Sequence, residues 1–571
     1  MFRIHIWQYI KTPKLGMINI ICLFGLWYYL FEHMYAYAAD ITSVIVFSMY
    51  PVKYLFFLYV FLAHEFFSLD KRANLEEVID SIHHGRKRCE FAKFLVFLCS
   101  IGCEVVMVYT YYLNKLEQLH CATNETKLYF AVVVLIYHFG VCLLAVGIGW
   151  GTTFFKKRIS GYAVIIFISY LFTPNLIAIV QRISKDTELY YKIADLFCIY
   201  ERDYGSTSNF YYLLSVEAVE VQRLCVWLLL CICLIGWKLW KHKGWIVVPA
   251  VFMIFVFYLY WQPTSTVYAD AGVNGHDSWT QDLVYYYRRN HRNHQENIEN
   301  IQEEVFRVNT YKMELERERI LDAKVEMELD NPALNKYIFT LYHGYKIQKI
   351  LNMDRKELKY EQKGDIVTVY SAGNMKKVCF YYQGCCKNYY TTSQGMYLPA
   401  YFSYYPMAGA REVYQDIKSE KNEYLHLYEG YNLECLDYEV LFDVTVAGKQ
   451  SVYCNLEEKG KNHFYGKSNG VTLLSGYFIE TEEIGDCTMI YSYLDKDALI
   501  MNTEEKKNIE DWLRNNKELK GQTIFISPIG NYESHAIAKD HLIIENIRLL
   551  EEVYERYRNT GYLYENLDEE E

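Results

Sequence analysis

Seven apolar segments fill the first 261 residues of this 571-residue chain, and none follows Trp261. They lie at about Met17–Tyr37, Val44–Ala63, Phe91–Leu113, Leu128–Trp150, Tyr162–Val180, Leu224–Trp240 and Trp245–Trp261. Each is near the roughly 20 residues that a ~30 Å hydrocarbon core requires. Lipid offers no hydrogen-bond partner to a backbone amide, so such segments are expected to be helices. The charge divides at the same place. Residues 1–261 hold 23 Lys+Arg and 18 Asp+Glu, a net of +5; residues 262–571 hold 35 and 51, a net of −16. A basic apolar half followed by an acidic polar half reads as a membrane domain joined to a soluble one. The acidic half argues against nucleic acid as a partner, because phosphate binding needs clustered cations.

Orientation follows from Lys and Arg in the short loops. One set of loops carries Lys71, Arg72, Arg86, Lys87 and Arg88, then Lys156, Lys157 and Arg158, then Lys238, Lys241 and Lys243. The opposite set is poorer. This puts the N-terminus in the cytoplasm and everything after Trp261 outside. Residues 1–16 read as an interfacial entry helix, basic through Arg3, Lys11 and Lys14. The first apolar run has no small-residue cleavage site after it and is expected to stay in the membrane. Lys53 and Glu104 fall inside spans. Two readings stand: a functional pair facing the bundle interior, or a lysine that snorkels to an interface. Residues 181–222 mix apolar patches with charge; they read as an external loop or as re-entrant segments.

The stretch Phe66–Lys93 is polar between two spans. Leu75, Val78, Ile79 and Ile82 fall at helical spacing within it, which predicts one amphipathic helix with a single apolar stripe. Such a helix cannot span a bilayer, but it can dock into a partner's groove. Spans one to six with this helix after span two resemble the permease subunit of a type-two ABC exporter, over about residues 1–241. In that family the loop carries an acidic residue, a basic one, a helix-opening Glu, a later basic residue and a Lys where span three begins. Asp70, Arg72, Glu76 or Glu77, Arg86 and Lys93 fill those positions here. The family often has Ser-x-Pro before its basic residue. This chain has Ser81-Ile82-His83-His84 with no proline, which leaves the end of the helix open: it can stop here or run longer. The resemblance implies a coupling helix pushed by an ATPase, and two permeases, identical or different, forming the path.

That ATPase is expected on another polypeptide. The nearest approach to a phosphate loop, Gly460 to Ser468, has one residue too many between its glycines and no strand-to-helix setting.

The second half changes to period two. Ala323, Val325, Met327 and Leu329 alternate with polar residues, as do Tyr438, Val440, Phe442, Val444 and Val446. Many short runs of this kind predict a β-sandwich. After Leu499 helices return: Asn502 with Glu505 can form a capping box, and His541–Arg558 is expected to be a last helix, with a strand at Thr523–Ser527 between. The segments Met396–Gly409 and Ser468–Phe478 resemble the β-sandwich that precedes the catalytic domain of aminopeptidase N-like zinc peptidases, over about residues 319–530. The zinc motif HExxH of that family is absent. His535, His541 and Glu545 are a poor substitute at i, i+6 spacing, and His291, His294 and Glu296 read as a solvated helix face. The six cysteines of this half fit no zinc spacing; outside the cell they allow a disulfide or two. Tyr381–Tyr405 reads as core packing in a tyrosine-rich chain, with a recognition surface as the second reading.

The fold expected is therefore an α-helical polytopic membrane domain, a six-helix exporter-type bundle plus one extra span. An external β-sandwich with a small α/β C-terminal part follows. The boundaries expected are 1–261 for the membrane domain, 262–318 for a linker and polar helix, 319–500 for the sandwich and 501–571 for the α/β part. The function expected is that of an exporter permease in the cell membrane, with Asp70, Arg72, Glu76, Glu77, Arg86 and Lys93 coupling it to a separate ATPase. No catalytic residue, metal or cofactor is expected. The alternative is a non-transporting receptor with a peptide-binding external domain.

Overall fold

The structure is a computed structural model. It describes residues 13–37, 41–155, 157–172, 192–193, 195–199, 210–239, 243–265, 306–371, 373–386, 388–417, 428–495, 503–528 and 535–560. The interfacial helix at the N-terminus, most of 181–222, the cluster His291, His294 and Glu296, Asn502 and the acidic end lie outside these residues. The chain divides into two compact units. The first is Met1–Thr207, Leu214–Gln262 and Tyr268–Asp277; the second is Ser208–Leu213, Pro263–Val267 and Ser278–Glu571.

Among the described residues of the first unit, six helices are long and apolar enough to cross a membrane: Leu15–His33, Ile41–Phe67, Gly85–Gln118, Asn124–Thr152, Ala218–Leu239 and Gly244–Trp261. Of the segment expected as span five, the described part lies in a shorter apolar helix, Arg158–Leu171; residues 173–180 lie outside the described residues. Gly85–Gln118 has 34 residues. At a 1.5 Å rise that is about 50 Å, more than a ~30 Å core takes up. Its charged first turns therefore project beyond the apolar zone. Pro51 interrupts Ile41–Phe67, because it lacks an amide hydrogen for the helix ladder. Asn124–Thr152 is the central helix, 67% of its apolar window being buried against 11% for Gly244–Trp261. Gly149 makes its packing close. A Cβ there would lie 2.3 Å from the Val60 carbonyl oxygen, so only glycine lets the two helices meet backbone to backbone.

The anticipated pair of Lys53 and Glu104 does not form. Lys53 Nζ lies 4.5 Å from the centre of the Tyr50 ring. Glu104 is fully buried, with His138 Nδ1 at 3.6 Å and Cys142 Sγ at 3.5 Å. His138 sits in a π-helical segment, Val134–Gly140, within the central helix.

The second unit is β-rich. A seven-stranded sheet runs in the spatial order Glu457–Gly460, His463–Ser468, Val440–Ala447, Val308–Arg317, Leu321–Leu329, Lys377–Gly384, Tyr345–Asn352. All neighbours are antiparallel except Val308–Arg317 with Val440–Ala447. Burial alternates along Leu321–Leu329 as the period-two pattern requires. A four-stranded sheet, including Lys336–Thr340 and Ile366–Tyr370, shares its core. Phe339 of that sheet meets Phe380 of the larger one edge-on at 5.1 Å between ring centres. Tyr211 and Tyr212 belong to this unit and are buried in the same core. The Tyr211 hydroxyl donates to the Ile526 carbonyl at 2.8 Å.

A five-stranded sheet with its own core forms the α/β part. It takes in Ile479–Ile484 and Cys487–Ser492, which the sequence assigns to the sandwich, with Thr523–Ile526, His541–Ile544 and Ala536–Ile537. The helix expected over His541–Arg558 is corrected: His541–Ile544 is a buried strand parallel to Thr523–Ile526, and the helix is Leu550–Thr560. The break is local chemistry. Asn546 accepts a hydrogen bond from the Arg548 amide and opens a new turn.

His535 lies at the edge of this sheet, 5% exposed. Its Nδ1 accepts from the Glu545 amide at 3.3 Å. Burial, and then the charge of Arg556, hold its pKa down at about 4. The folded state thus binds fewer protons there than the unfolded chain. That stability is complete above an unfolded pKa of about 6.5 and is lost as pH falls towards 4, up to about 3 kcal/mol in all. Thermal unfolding of the full chain in detergent between pH 7.5 and 4.5 should show this loss. His535→Gln should flatten the part of the curve that belongs to the C-terminal unit.

Candidate functional site

The Phe66–Lys93 stretch is not one helix. Val52–Phe67 ends at Ser68, Leu69–Arg72 makes one turn, and Glu76–Ser81 is a separate helix of six residues. The next helix begins at Gly85, six residues before the expected start of span three. Two reversals cause the breaks. Asn74 is left-handed at φ 54°, and the Leu75 amide bonds back to the Asp70 carbonyl at 2.9 Å. His84 is left-handed at φ 56°. A Cβ on Gly85 would lie 2.2 Å from the Ile79 carbonyl oxygen, so the turn closes only on glycine. The end of the helix, which the sequence left open, falls at Ser81, and His84 with Gly85 makes the stop.

The apolar stripe is split accordingly. Leu75, Val78 and Ile82 are 42%, 59% and 47% exposed. Ile79 instead turns inward and lines a cavity of about 220 Å³, together with Phe67, Asp70, Arg86, Glu90 and Phe154.

The six residues singled out from the sequence fall into four groups. Asp70 and Lys93 form a buried ion pair with Nζ to Oδ2 at 2.5 Å; the Lys93 side chain is fully buried. The Cys89 thiol donates to the same carboxylate at 3.2 Å. Arg72 turns back to Glu65, bonding its carboxylate at 2.8 Å and its carbonyl at 2.6 Å. Arg86 lies 3.6 Å from both Glu76 and Asp80, ion pairs at the surface that fasten the short helix to the following one. Glu77 is exposed.

Glu65 is the residue that sequence reasoning missed. It also takes Arg158 at 2.8 Å and the Tyr162 hydroxyl, both on the helix Arg158–Leu171. The loop is thus tied to three helices: Ile41–Phe67, Gly85–Gln118 and Arg158–Leu171. The signal available was a lone carboxylate at the end of an apolar span, where a free charge is costly.

The other candidates do not assemble. Among the described residues no group of His, Cys, Asp and Glu could hold a metal ion. His541 is committed to Asp540 through Nδ1 and to Thr472 through Nε2, both at 2.8 Å. Glu457–Gly460 and His463–Ser468 are a hairpin, which excludes a phosphate loop. Of the Tyr381–Tyr405 segment, Tyr382, Tyr389, Tyr390, Tyr397, Tyr401, Tyr404 and Tyr405 are buried in the core. All 16 cysteines are free.

The Asp70–Lys93 pair gives a direct test. Asp70→Asn leaves a buried ammonium uncompensated and should cost about 3–5 kcal/mol; Lys93→Met should cost a similar amount. The double variant should lose clearly less than the sum of the two, read as thermal or denaturant unfolding of the detergent-solubilised chain.

No protein-family model matches the sequence, and no curated protein matches it. Solved structures with weak likeness are zinc peptidases. The M1 zinc metallopeptidase from Deinococcus radiodurans matches at 11% identity and a TM-score of 0.28, over 42% of this chain and 61% of that one. A mutant of it bound to a Tyr-Ser-Ala substrate matches at 12% identity and a TM-score of 0.29, over 43% and 62%. The match thus spans about three-fifths of those peptidases, and at these values no residue role passes from them to this chain.

Proposed function

We propose that this protein is the membrane-spanning permease subunit of an ATP-driven exporter, with its N-terminus in the cytoplasm and its C-terminal unit outside. The observation that carries the reading is the construction of the 68–84 loop. It presents Leu75, Val78 and Ile82 to solvent among acidic side chains. Behind that knob, Asp70–Lys93 and the Glu65 cluster tie it to three helices. A mobile surface loop has no use for a buried ion pair. A lever does, because force applied at the knob has to reach the spans without being absorbed by local unfolding.

The Lys and Arg distribution supports the orientation. So does the composition of the second unit, which joins residues 210–213 to the chain after Pro263. Two membrane-capable helices separate these segments, and two crossings return a chain to the side it left; an outside C-terminal unit then requires the segment that begins with Arg158–Leu171 to cross as well, as a seventh span. The motor is a separate ABC ATPase, and the permease acts as a homodimer or with a second permease.

Co-purification with a co-expressed ABC ATPase, and the ATPase activity of the complex, test the reading. Leu75→Glu with Val78→Glu puts two charges on the exposed knob, away from the ion pairs. It should cut association and coupled ATP hydrolysis about tenfold or more while leaving the unfolding temperature nearly unchanged, as surface substitutions do. Full association and turnover in that variant would remove the loop from the coupling path.

A further inference from the structure

Arg317 is the last residue of the strand Val308–Arg317 in the C-terminal unit, and it is 5% exposed. Among the described residues, neither its Nε nor its Nη1 has a hydrogen-bond partner. Its Nη2 reaches the Gln450 side-chain oxygen at 3.4 Å. Among the described residues no carboxylate faces it; the ionisable neighbour is the Tyr477 phenol. This occurs in a half of the chain with 51 acidic residues against 35 basic ones, where a carboxylate partner is easy to supply. Arg223, buried in the other unit, has two: Asp195 at 2.7 Å and Glu220. Burial pushes the Arg317 pKa down to about 10, which still leaves it a cation at neutral pH. A buried guanidinium with orphaned donors costs several kcal/mol unless an acceptor reaches it.

Gly448, at φ +141°, flanks the guanidinium; a Cβ there would stand in ordinary contact, 3.5 Å from Arg317 Nε. The Gln450 amide beside it is held loosely. It accepts from Arg317 at 3.4 Å and donates to the Gln394 carbonyl at 3.3 Å, both at the long end of hydrogen-bond geometry, while the Ser475 hydroxyl nearby gives its proton to the Ser451 carbonyl at 2.7 Å. A side chain in this state can turn to admit a ligand and give it a donor.

We propose that Arg317 is the centre of a small-anion site, taking a halide or a carboxylate group on Nε and Nη1, with the Gln450 amide beside it. Enclosure sets the size of the ligand, and the absence of a facing carboxylate sets its charge. A planar carboxylate fits the fork of two guanidinium donors, and a halide needs only the charge and the space.

The test is thermal unfolding of the full chain in detergent at constant ionic strength, with sodium methanesulfonate replaced stepwise by sodium chloride or sodium acetate. The unfolding temperature of the C-terminal unit should rise saturably, by about 3 °C or more at high occupancy. A rise with chloride alone makes the ligand a halide; a rise with acetate makes it a carboxylate. Arg317→Met should abolish the rise. Should that variant not fold, Arg317→Lys should move the half-saturating concentration at least about tenfold. No rise with either anion in the wild type, an equal rise in Arg317→Met, or an unchanged midpoint in Arg317→Lys each overturns the site.

Discussion

A lysine at the start of a long apolar helix needs a counter-charge, and Lys93 finds it in Asp70. The pair is buried, at 2.5 Å, and it fixes the first turn after Ile41–Phe67 against the first turns of Gly85–Gln118. Much of the local architecture follows from that link. Beyond Asp70 the chain reverses at Asn74, and the next residues form a short helix that Arg86 fastens to Gly85–Gln118. With Gly85 pressed on the Ile79 carbonyl, that helix is closed at its far end too. The exposed knob is therefore short because both of its ends are pinned.

Glu65 extends the same logic across the bundle. One carboxylate receives Arg72 from the loop and Arg158 and Tyr162 from another helix. Shared acceptors of this kind couple the elements they join, since losing any donor leaves the carboxylate less satisfied. The Glu104, His138 and Cys142 group, deep among the spans, is a second polar cluster with no charge pair to Lys53. The two clusters differ in what they connect. One fastens a surface loop, and the other lies wholly between helices.

The C-terminal unit solves a different problem. A chain with 56 tyrosines has to bury many of them, and each brings a hydroxyl. Backbone carbonyls absorb that cost: Tyr311 donates to Pro406 at 2.9 Å, Tyr382 to Tyr404 at 2.7 Å, and Tyr404 to Val471 at 2.9 Å. The rings then pack as apolar bodies, as Tyr311 does on Phe442, stacked at 5.2 Å between centres. The tyrosine-rich segment is core for this reason.

Two kinds of signal were legible in the residues alone. Apolar segments of membrane length fixed where helices had to form, because lipid leaves the backbone no other way to satisfy its hydrogen bonds. Alternation in Leu321–Leu329 and Val440–Ala447 fixed strands and their buried face, because side chains alternate across a sheet. Short apolar runs carried less. His541–Ile544 reads equally well as the start of a helix, and its pairing with Thr523–Ile526 decided otherwise. The charged positions of the Phe66–Lys93 stretch were all legible as residue types, but not their partners. Arg72 meets Glu65 seven residues back, while Arg158 reaches that same carboxylate from 93 residues away. The sequence by itself determined a helical apolar half and an alternating polar half, since both follow from the backbone's need for hydrogen bonds and the period of side chains. Only the tertiary structure decided which charges neutralise one another and where the Phe66–Lys93 stretch breaks, since both depend on distances between residues that no local pattern encodes.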